Sequence, residues 1–467
     1  MRALAILLSW YAGWTTFRGD NGFGVDGSKG LPSELAPDKN VVWKSPLPAG
    51  TSSPVLTRDR IYITGYENKQ LVTFAIARAS GKILWRRELP QPRAETLHKL
   101  NSPASATPAT DGGSNVYAFF GDFGLVSYGP DGNERWRVPL GPFSNLHGMA
   151  ASPILAGDKL IFVSDQDTDS YVLAVHKDTG KQVWKTRRPV VVHGFATPTL
   201  FQPEGGEQQL VIPGSYMLAS YSVATGEELW TVRGLSWQIK STGIAHDGTL
   251  YMTGWAPGAD SGESKPLPPY DEVLAEIDAN KDGKIAPEEI NPSKYKHGGS
   301  WAAIDLDKDG FLGARDWTFY RARRSARNVT MAVRPGKARG DITDTHVVWR
   351  NERNVPQVSS PLLYDGMLYV IKDGGIFTSL DPATGKALKM ARIPGALDNY
   401  YSSPVAADGK IFLASETGKV SVLKPGAEWE AMAVREFDEN IYATPAIDSG
   451  RIYLRTAKAL YCFGLQQ

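Results

Sequence analysis

Apolar and polar positions alternate in short runs along most of the chain. Examples are Arg60-Ile61-Tyr62-Ile63, Asn115-Val116-Tyr117, Lys159-Leu160-Ile161-Phe162-Val163 and Leu250-Tyr251-Met252. Later copies are Met367-Leu368-Tyr369-Val370, Lys410-Ile411-Phe412-Leu413 and Arg451-Ile452-Tyr453-Leu454. The residues are β-branched or aromatic and their period is two, which predicts strands. Upstream of each strand lies a Ser/Thr-Pro step, a short apolar run and a polar turn. The steps begin at Ser53, Thr107, Ser152, Thr197, Ser360, Ser403 and Thr444, and Thr242 is an eighth with Gly243 in place of proline. Successive intervals are 54, 45, 45, 45, 118, 43 and 41 residues. All but the fifth have the length of a propeller blade.

Downstream, a Gly turn leads to tryptophan four times: Gly81 to Trp85, Gly132 to Trp136, Gly180 to Trp184 and Gly226 to Trp230. A fifth turn at Gly385 lacks the Trp. Glycine supplies the positive φ of a hairpin turn, and a regularly placed Trp predicts a wedge between neighbouring blades. Eight units of four strands predict an all-β, eight-bladed β-propeller. The last unit ends at Phe463 without a fourth strand. The isolated strand at residues 40–44, with Trp43, is expected to complete it and close the ring.

The Thr-Gly-Lys-x-x-Trp phrase after a Ser/Thr-Pro strand resembles the tryptophan-docking repeat of the PQQ (pyrroloquinoline quinone)-like propeller superfamily. Residues 14–25, beginning Trp14-Thr15-Thr16-Phe17-Arg18-Gly19, resemble the opening of many exported bacterial members. The superfamily holds quinoprotein alcohol dehydrogenases as well as the non-catalytic, BamB-like assembly factors. The resemblance therefore implies the fold and leaves the activity open.

The 118-residue interval contains a different pattern. Pro266, Pro268 and Pro269 open it, and Val273, Leu274 and Ile277 then share one helical face. Residues 278–289 match an EF-hand calcium loop. Asp278, Asn280 and Asp282 supply side-chain oxygens, Gly283 the sharp turn, Lys284 a backbone carbonyl and Glu289 a bidentate closure. A partner loop at residues 305–316 offers Asp305, Asp307, Asp309, the Phe311 carbonyl and Asp316. Asp316 is one methylene shorter than Glu, so weaker calcium binding is expected there. Trp317, Phe319 and Tyr320 give the exit helix an apolar face. The expected division is an export signal at 1–13, propeller at 14–257, the EF-hand pair at 258–326 and propeller again at 327–467.

Composition narrows the function classes. The chain has 467 residues, 42% hydrophobic, with 51 Lys+Arg against 50 Asp+Glu. Such a chain buries a core, and no basic excess marks nucleic acid as a partner. Cys462 is alone, so no disulfide framework exists. Arg2 followed by the apolar run from Ala3 to Leu8 reads as a secretory signal, which implies a periplasmic or secreted protein. No run is long enough for a membrane-spanning helix, and a monomer is expected.

Other motifs carry less. The Gly22 to Gly27 segment fits a dinucleotide fingerprint on paper, but neither strand nor helix flanks it. The acidic run at Asp165, Asp167 and Asp169 reads as a solvated hairpin, and Arg321, Arg323, Arg324 and Arg327 as a solvated helix end. In a propeller the residues entering each first strand gather around one mouth of the channel. Here they are Asn101, His147, His193, Gln238, Lys240, Gln357, Asn399, Tyr400, Asn440 and Tyr442. This ring could take a protein or a small polar ligand. Quinoprotein dehydrogenases, by resemblance, carry vicinal cysteines and acidic residues at PQQ and its calcium, and this ring holds neither. The leading expectation is a non-catalytic binding or assembly scaffold. A PQQ-dependent oxidoreductase, or a carbohydrate-active enzyme using His147 or His193, is the alternative.

Overall fold

The computed structural model describes residues 13–260 and 266–465. All of the expected export signal except Gly13 lies outside these residues. The strands form eight sheets, seven of four strands and one of five; each holds an antiparallel four-stranded meander, and the fifth strand of the larger sheet adds to it in parallel. Blade 1, for example, runs Val55–Leu56, Arg60–Glu67, Gln70–Ala77 and Ile83–Pro90. Blade 8 is completed by the N-terminal strand Val41–Pro46, which pairs antiparallel with Ala459–Phe463. The ring is thus closed by the two ends of the described chain, and Ala459–Phe463 is paired on both sides.

Alternation alone predicts half-buried strands, but the second and third strands are buried on both faces. Val116–Phe120 and Gly124–Tyr128 have no exposed residue. Each blade is sandwiched between two neighbours, so its middle strands meet apolar surface on either side. The fourth strand lies at the rim. In Gln182–Arg187 only Trp184 is buried.

The repeated Trp does bridge blades. The Nε1 of Trp43, Trp85, Trp136, Trp184 and Trp349 donates to the carbonyl of Arg78, Pro130, Lys177, Val223 and Pro382 respectively, each on the next blade. Each ring covers the Gly of that blade's turn. A Cβ on Gly81, Gly132, Gly180, Gly226 or Gly385 would come within 3 Å of the ring, and all five have φ near +70°. The turn therefore requires glycine twice, for its backbone and for the ring lying on it. Trp230 departs from the rule. Its Nε1 donates to Gln209 Oε1 of its own blade, and Gly340–Asp341 pairs parallel beside its strand.

The Ser/Thr of the Ser/Thr-Pro step has a role that alternation does not reveal. The backbone N–H of Ser53 donates to the Thr107 hydroxyl at 3.0 Å, that of Thr107 to Ser152 at 3.0 Å and that of Ser152 to Thr197 at 3.2 Å. The series resumes from Thr242 to Ser360, then to Ser403 and Thr444, and returns from Thr444 to Ser53 at 2.9 Å. The following proline holds each residue extended and has no N–H of its own. The result is a belt of hydrogen bonds around the axis. Where Gly243 replaces proline, the Thr199 hydroxyl donates instead to the Gly243 carbonyl at 2.9 Å.

Residues 13–28 cross the axis at the end where the first strands leave the channel. The Trp14 and Thr15 carbonyls accept from Leu56 and Thr110, the Asn21 amide bonds both backbone groups of Leu200, and Val25 bridges Ala406. Arg18, fully buried, donates from Nη2 to the Pro361 and Pro404 carbonyls. Burial without a carboxylate partner lowers its pKa to about 9. The segment that matches a dinucleotide fingerprint on paper is part of this plug.

The interruption of blade 5, between Thr249–Gly254 and Val329–Val333, holds helices α1 (Tyr270–Ile277), α2 (Pro287–Ile290) and α3 (Ala314–Ser325). Val273, Ile285, Ile290, Leu312, Trp317 and Tyr320 form its own small core. A further short helix, α4 (Thr343–His346), precedes the last strand of that blade.

Candidate functional site: the channel mouth

The plug makes the channel blind, and its other end opens as a cavity of about 470 Å³. Phe17 of the plug lies at its floor, with Ser53, Thr107, Ser152, Thr197 and Thr444 of the hydroxyl belt around it. The walls are loops that enter first strands. Of the ten residues that the sequence nominates, Asn101, His147, Gln238, Lys240, Gln357 and Tyr442 line the mouth. His98, Phe195, Trp255 and Tyr401 line it as well and escaped the sequence reading. Trp255 follows a second strand rather than preceding a first, so no repeat position marks it.

The other four nominated residues lie elsewhere. His193 is 2% exposed, and its Nδ1 stands 2.7 Å from Asp167 Oδ1. Tyr400 is buried in the blade 6 core, its hydroxyl donating to the Ala396 carbonyl. Asn399 and Asn440 are exposed, bonded to Glu416 and to the Tyr442 hydroxyl. A one-residue difference in how a loop enters its strand turns a side chain from the channel to the core, and repeat spacing does not resolve that.

The mouth has a definite polarity. The Asn101 amide and the His98 N–H both donate to the His147 carbonyl, and the two imidazole rings meet edge to face at 5.4 Å. Burial, with neighbouring His98 and Lys240, pulls His147 down to about 4, so its imidazole is neutral at pH 7. Burial likewise lowers the Lys240 pKa to about 8. Among the described residues, no Asp or Glu lines the cavity. The carboxylates that a PQQ-bound calcium and a catalytic base would need are therefore not in its walls, and this residue set does not fit that cofactor centre.

Two sequence readings near the mouth are corrected. The acidic hairpin is not solvated. Asp165 is 1% exposed and bidentate with Arg188 at 2.7 and 3.0 Å, and Arg188 also donates to the Tyr221 hydroxyl. Gly194 and Gly214 leave the room, since a Cβ on either would strike this pair. Only Asp169, paired with Arg187, faces solvent. Nor is the arginine cluster a free helix end. Arg323 lies 3.6 Å over the Trp237 ring, because a flat guanidinium packs where an ammonium would not, and Arg321 donates to the Leu267 carbonyl. Arg323 on Trp237, Leu306 and Phe319 against Val192, and Arg315 on the Asp167 carbonyl seat the insertion on the rim of blades 3 and 4.

Inside the insertion, the Asp305, Asp307 and Asp309 carboxylates bring an oxygen each within 4.8 Å of one another and could hold a metal ion. The two acidic loops are built alike. Asp278 Oδ2 accepts from Gly283 N–H and Asp305 Oδ2 from Gly310 N–H. Glu289 accepts from the Ala279 and Ala286 N–H groups, and Asp316 from the corresponding Leu306 and Gly313. Asn280 donates to Asp282, and Lys284 turns its ammonium to Asp309 and the Phe311 ring. Ile285 and Leu312 join the loops by an antiparallel bridge.

Comparison with known proteins places this architecture. The family described as outer membrane protein assembly factor BamB matches residues 11–187 and 338–467, more than half of the chain and none of the insertion. A BamB from Francisella salina is 24% identical over 112 residues, which is 24% of this chain and 19% of that protein. The match thus spans about a fifth of the length of that relative. Among solved structures, BamB from Moraxella catarrhalis aligns over 92% of this chain and 98% of its own at 14% identity, TM-score 0.52. A europium-containing methanol dehydrogenase aligns over 98% and 99% at 10% identity, TM-score 0.61. The quinohemoprotein alcohol dehydrogenase from Comamonas testosteroni aligns over 98% and 81% at 12% identity, TM-score 0.60. At these identities the structural likeness speaks for the fold alone, and it spans a BamB and dehydrogenases.

Proposed function

Because the chain belongs to the outer membrane protein assembly factor BamB family, we propose that it is a non-catalytic binding scaffold working outside the cytoplasm. The observation that carries this reading is the blind mouth: a recess shaped to receive something, with no acid among its described lining residues to perform dehydrogenase or glycosidase chemistry. The partner is a polypeptide of the outer-membrane assembly apparatus, which engages the loops around the mouth. No helix among the described residues is long and apolar enough to cross a membrane.

The insertion is a calcium-binding EF-hand pair. What supports this is the equivalence of the two loops, with matching donors to Glu289 and Asp316 and the Ile285–Leu312 bridge between them. Asp278, Asn280, Asp282, the Lys284 carbonyl and Glu289 hold one ion. Asp305, Asp307, Asp309, the Phe311 carbonyl and Asp316 hold the other. The ions are structural: α3 carries the residues that clamp the insertion to the propeller, and metal binding stabilises it by mass action.

Three experiments test these readings. A photo-crosslinking residue at Gln357, introduced in cells, should trap a component of the outer-membrane assembly apparatus. The purified protein should show no dye-linked alcohol oxidation with PQQ and calcium present. Turnover with PQQ overturns the scaffold reading. Calorimetry should find two calcium equivalents, lost in Asp278→Ala/Asp305→Ala while the β-rich circular dichroism persists. Stoichiometric calcium binding in that variant overturns the EF-hand assignment.

A further inference from the structure

The mouth contains two donor groups that the protein itself leaves short of acceptors. Gln238 is 3% exposed, and its Nε2 has no hydrogen-bond partner. Its Oε1 lies 3.5 Å from the Lys240 ammonium, the only hydrogen bond that Lys240 makes among the described residues. Lys240 has no ion pair there either, and stands 5.6 Å from the centre of the Trp255 ring. A buried amide N–H without an acceptor and a half-buried cation without a counter-charge each cost free energy. Both face one cavity whose lining includes no Asp or Glu. The site is therefore electrostatically incomplete, and one group would complete it: an oxyanion that accepts from the ammonium and the amide together.

Around these donors the walls are flat and apolar. Phe195, Trp255, Tyr401 and Tyr442 contribute rings. The cavity, at about 470 Å³, is of the size that holds a small ligand or one to two residues of a peptide. One ammonium and one amide match the two oxygens of a carboxylate, whereas a phosphate dianion calls for more donors. We propose that the channel mouth is a carboxylate-binding site, with Lys240 and Gln238 as its donors and the aromatic walls holding the planar or apolar body that carries the carboxylate. The carboxylate comes either from a free organic acid or from a Glu or Asp side chain on a peptide. The inference rests on the mouth itself and is independent of the scaffold reading.

Ligand-observed NMR titration of the full chain with benzoate, and with its neutral counterpart benzamide, tests the site at pH 7. Benzoate should bind roughly tenfold more tightly than benzamide. Lys240→Met should erase that preference. Gln238→Glu, which supplies Lys240 with an internal carboxylate, should abolish benzoate binding and covers the case in which Lys240→Met does not fold. Displacement of benzoate by acetyl-Ala-Glu-Ala-amide assigns the site to peptide carboxylates, and its failure to compete while benzoate binds assigns it to free acids. Equal binding of benzoate and benzamide, or a preference that survives in Lys240→Met, overturns the proposal.

Discussion

Arg188 and Asp165 set the energetic scale of single residues here. Both are 1% exposed, and burial acts against the arginine charge while Asp165 and Tyr221 more than offset it. Removing one partner leaves an uncompensated buried charge. Arg188→Met is expected to lower stability by about 3–5 kcal/mol in chemical denaturation, and Arg188→Met/Asp165→Leu to regain most of that loss. His147 makes a separate prediction about acid. Its pKa is about 4 in the fold and that of free histidine about 6.5. Between these values the unfolded chain binds the extra proton, so stability is lost as pH falls from about 6.5 towards 4. His147→Asn should flatten this part of the curve of melting temperature against pH. Neither residue announces its role in the sequence, because burial and partner are set by loops far apart along the chain.

Secondary-structure elements were easier to read, since they are written in local periodicity. The Ser/Thr-Pro strands, the Gly turns and the helical face of α1 each lie within about a dozen residues. The acidic loops likewise carry their pattern in consecutive positions. Their difference yields the prediction at this scale. Asp316 and Glu289 accept equivalent backbone N–H groups, but the shorter side chain reaches less far into its loop. Asp316→Glu should tighten the weaker calcium step in calorimetry by about tenfold and leave the other step unchanged. An unchanged weaker step would separate this loop from the EF-hand pattern. What the elements did not disclose is how they dock: Arg323 on Trp237 belongs to the meeting of two modules, not to either alone.

The whole molecule is a ring, and a ring must be closed. Val41–Pro46 completes blade 8, and Trp43 then covers Gly81 of blade 1 and donates to the Arg78 carbonyl. Trp43→Ala therefore opens the one junction held by both ends of the fold. It should cost about 2–4 kcal/mol and speed hydrogen exchange in Arg451–Arg455. Trp136→Ala, at a junction between consecutive blades, should leave exchange in that strand unchanged. Equal effects of the two variants there would mean that closure adds nothing beyond one more blade contact.

By itself, the sequence determined the repeat, the all-β eight-bladed class, the closing strand and the place of the helical insertion. All of these follow from hydrophobic period, turn chemistry and spacing, which act over one blade at a time. It also indicated six of the residues at the mouth, because repeat position fixes which loop faces the axis. Only the tertiary structure decided that residues 13–28 seal one end of the channel and that the Ser/Thr hydroxyls form a belt around it. Only there do Lys240 and Gln238 face a cavity without a counter-charge, and His193 turn to Asp167 instead of the mouth. The physical reason is the same in each case. Burial, desolvation and hydrogen-bond satisfaction depend on which distant segments surround a side chain, and the circular arrangement of blades brings together residues that the chain keeps 422 positions apart, such as Gly450 and Ser28.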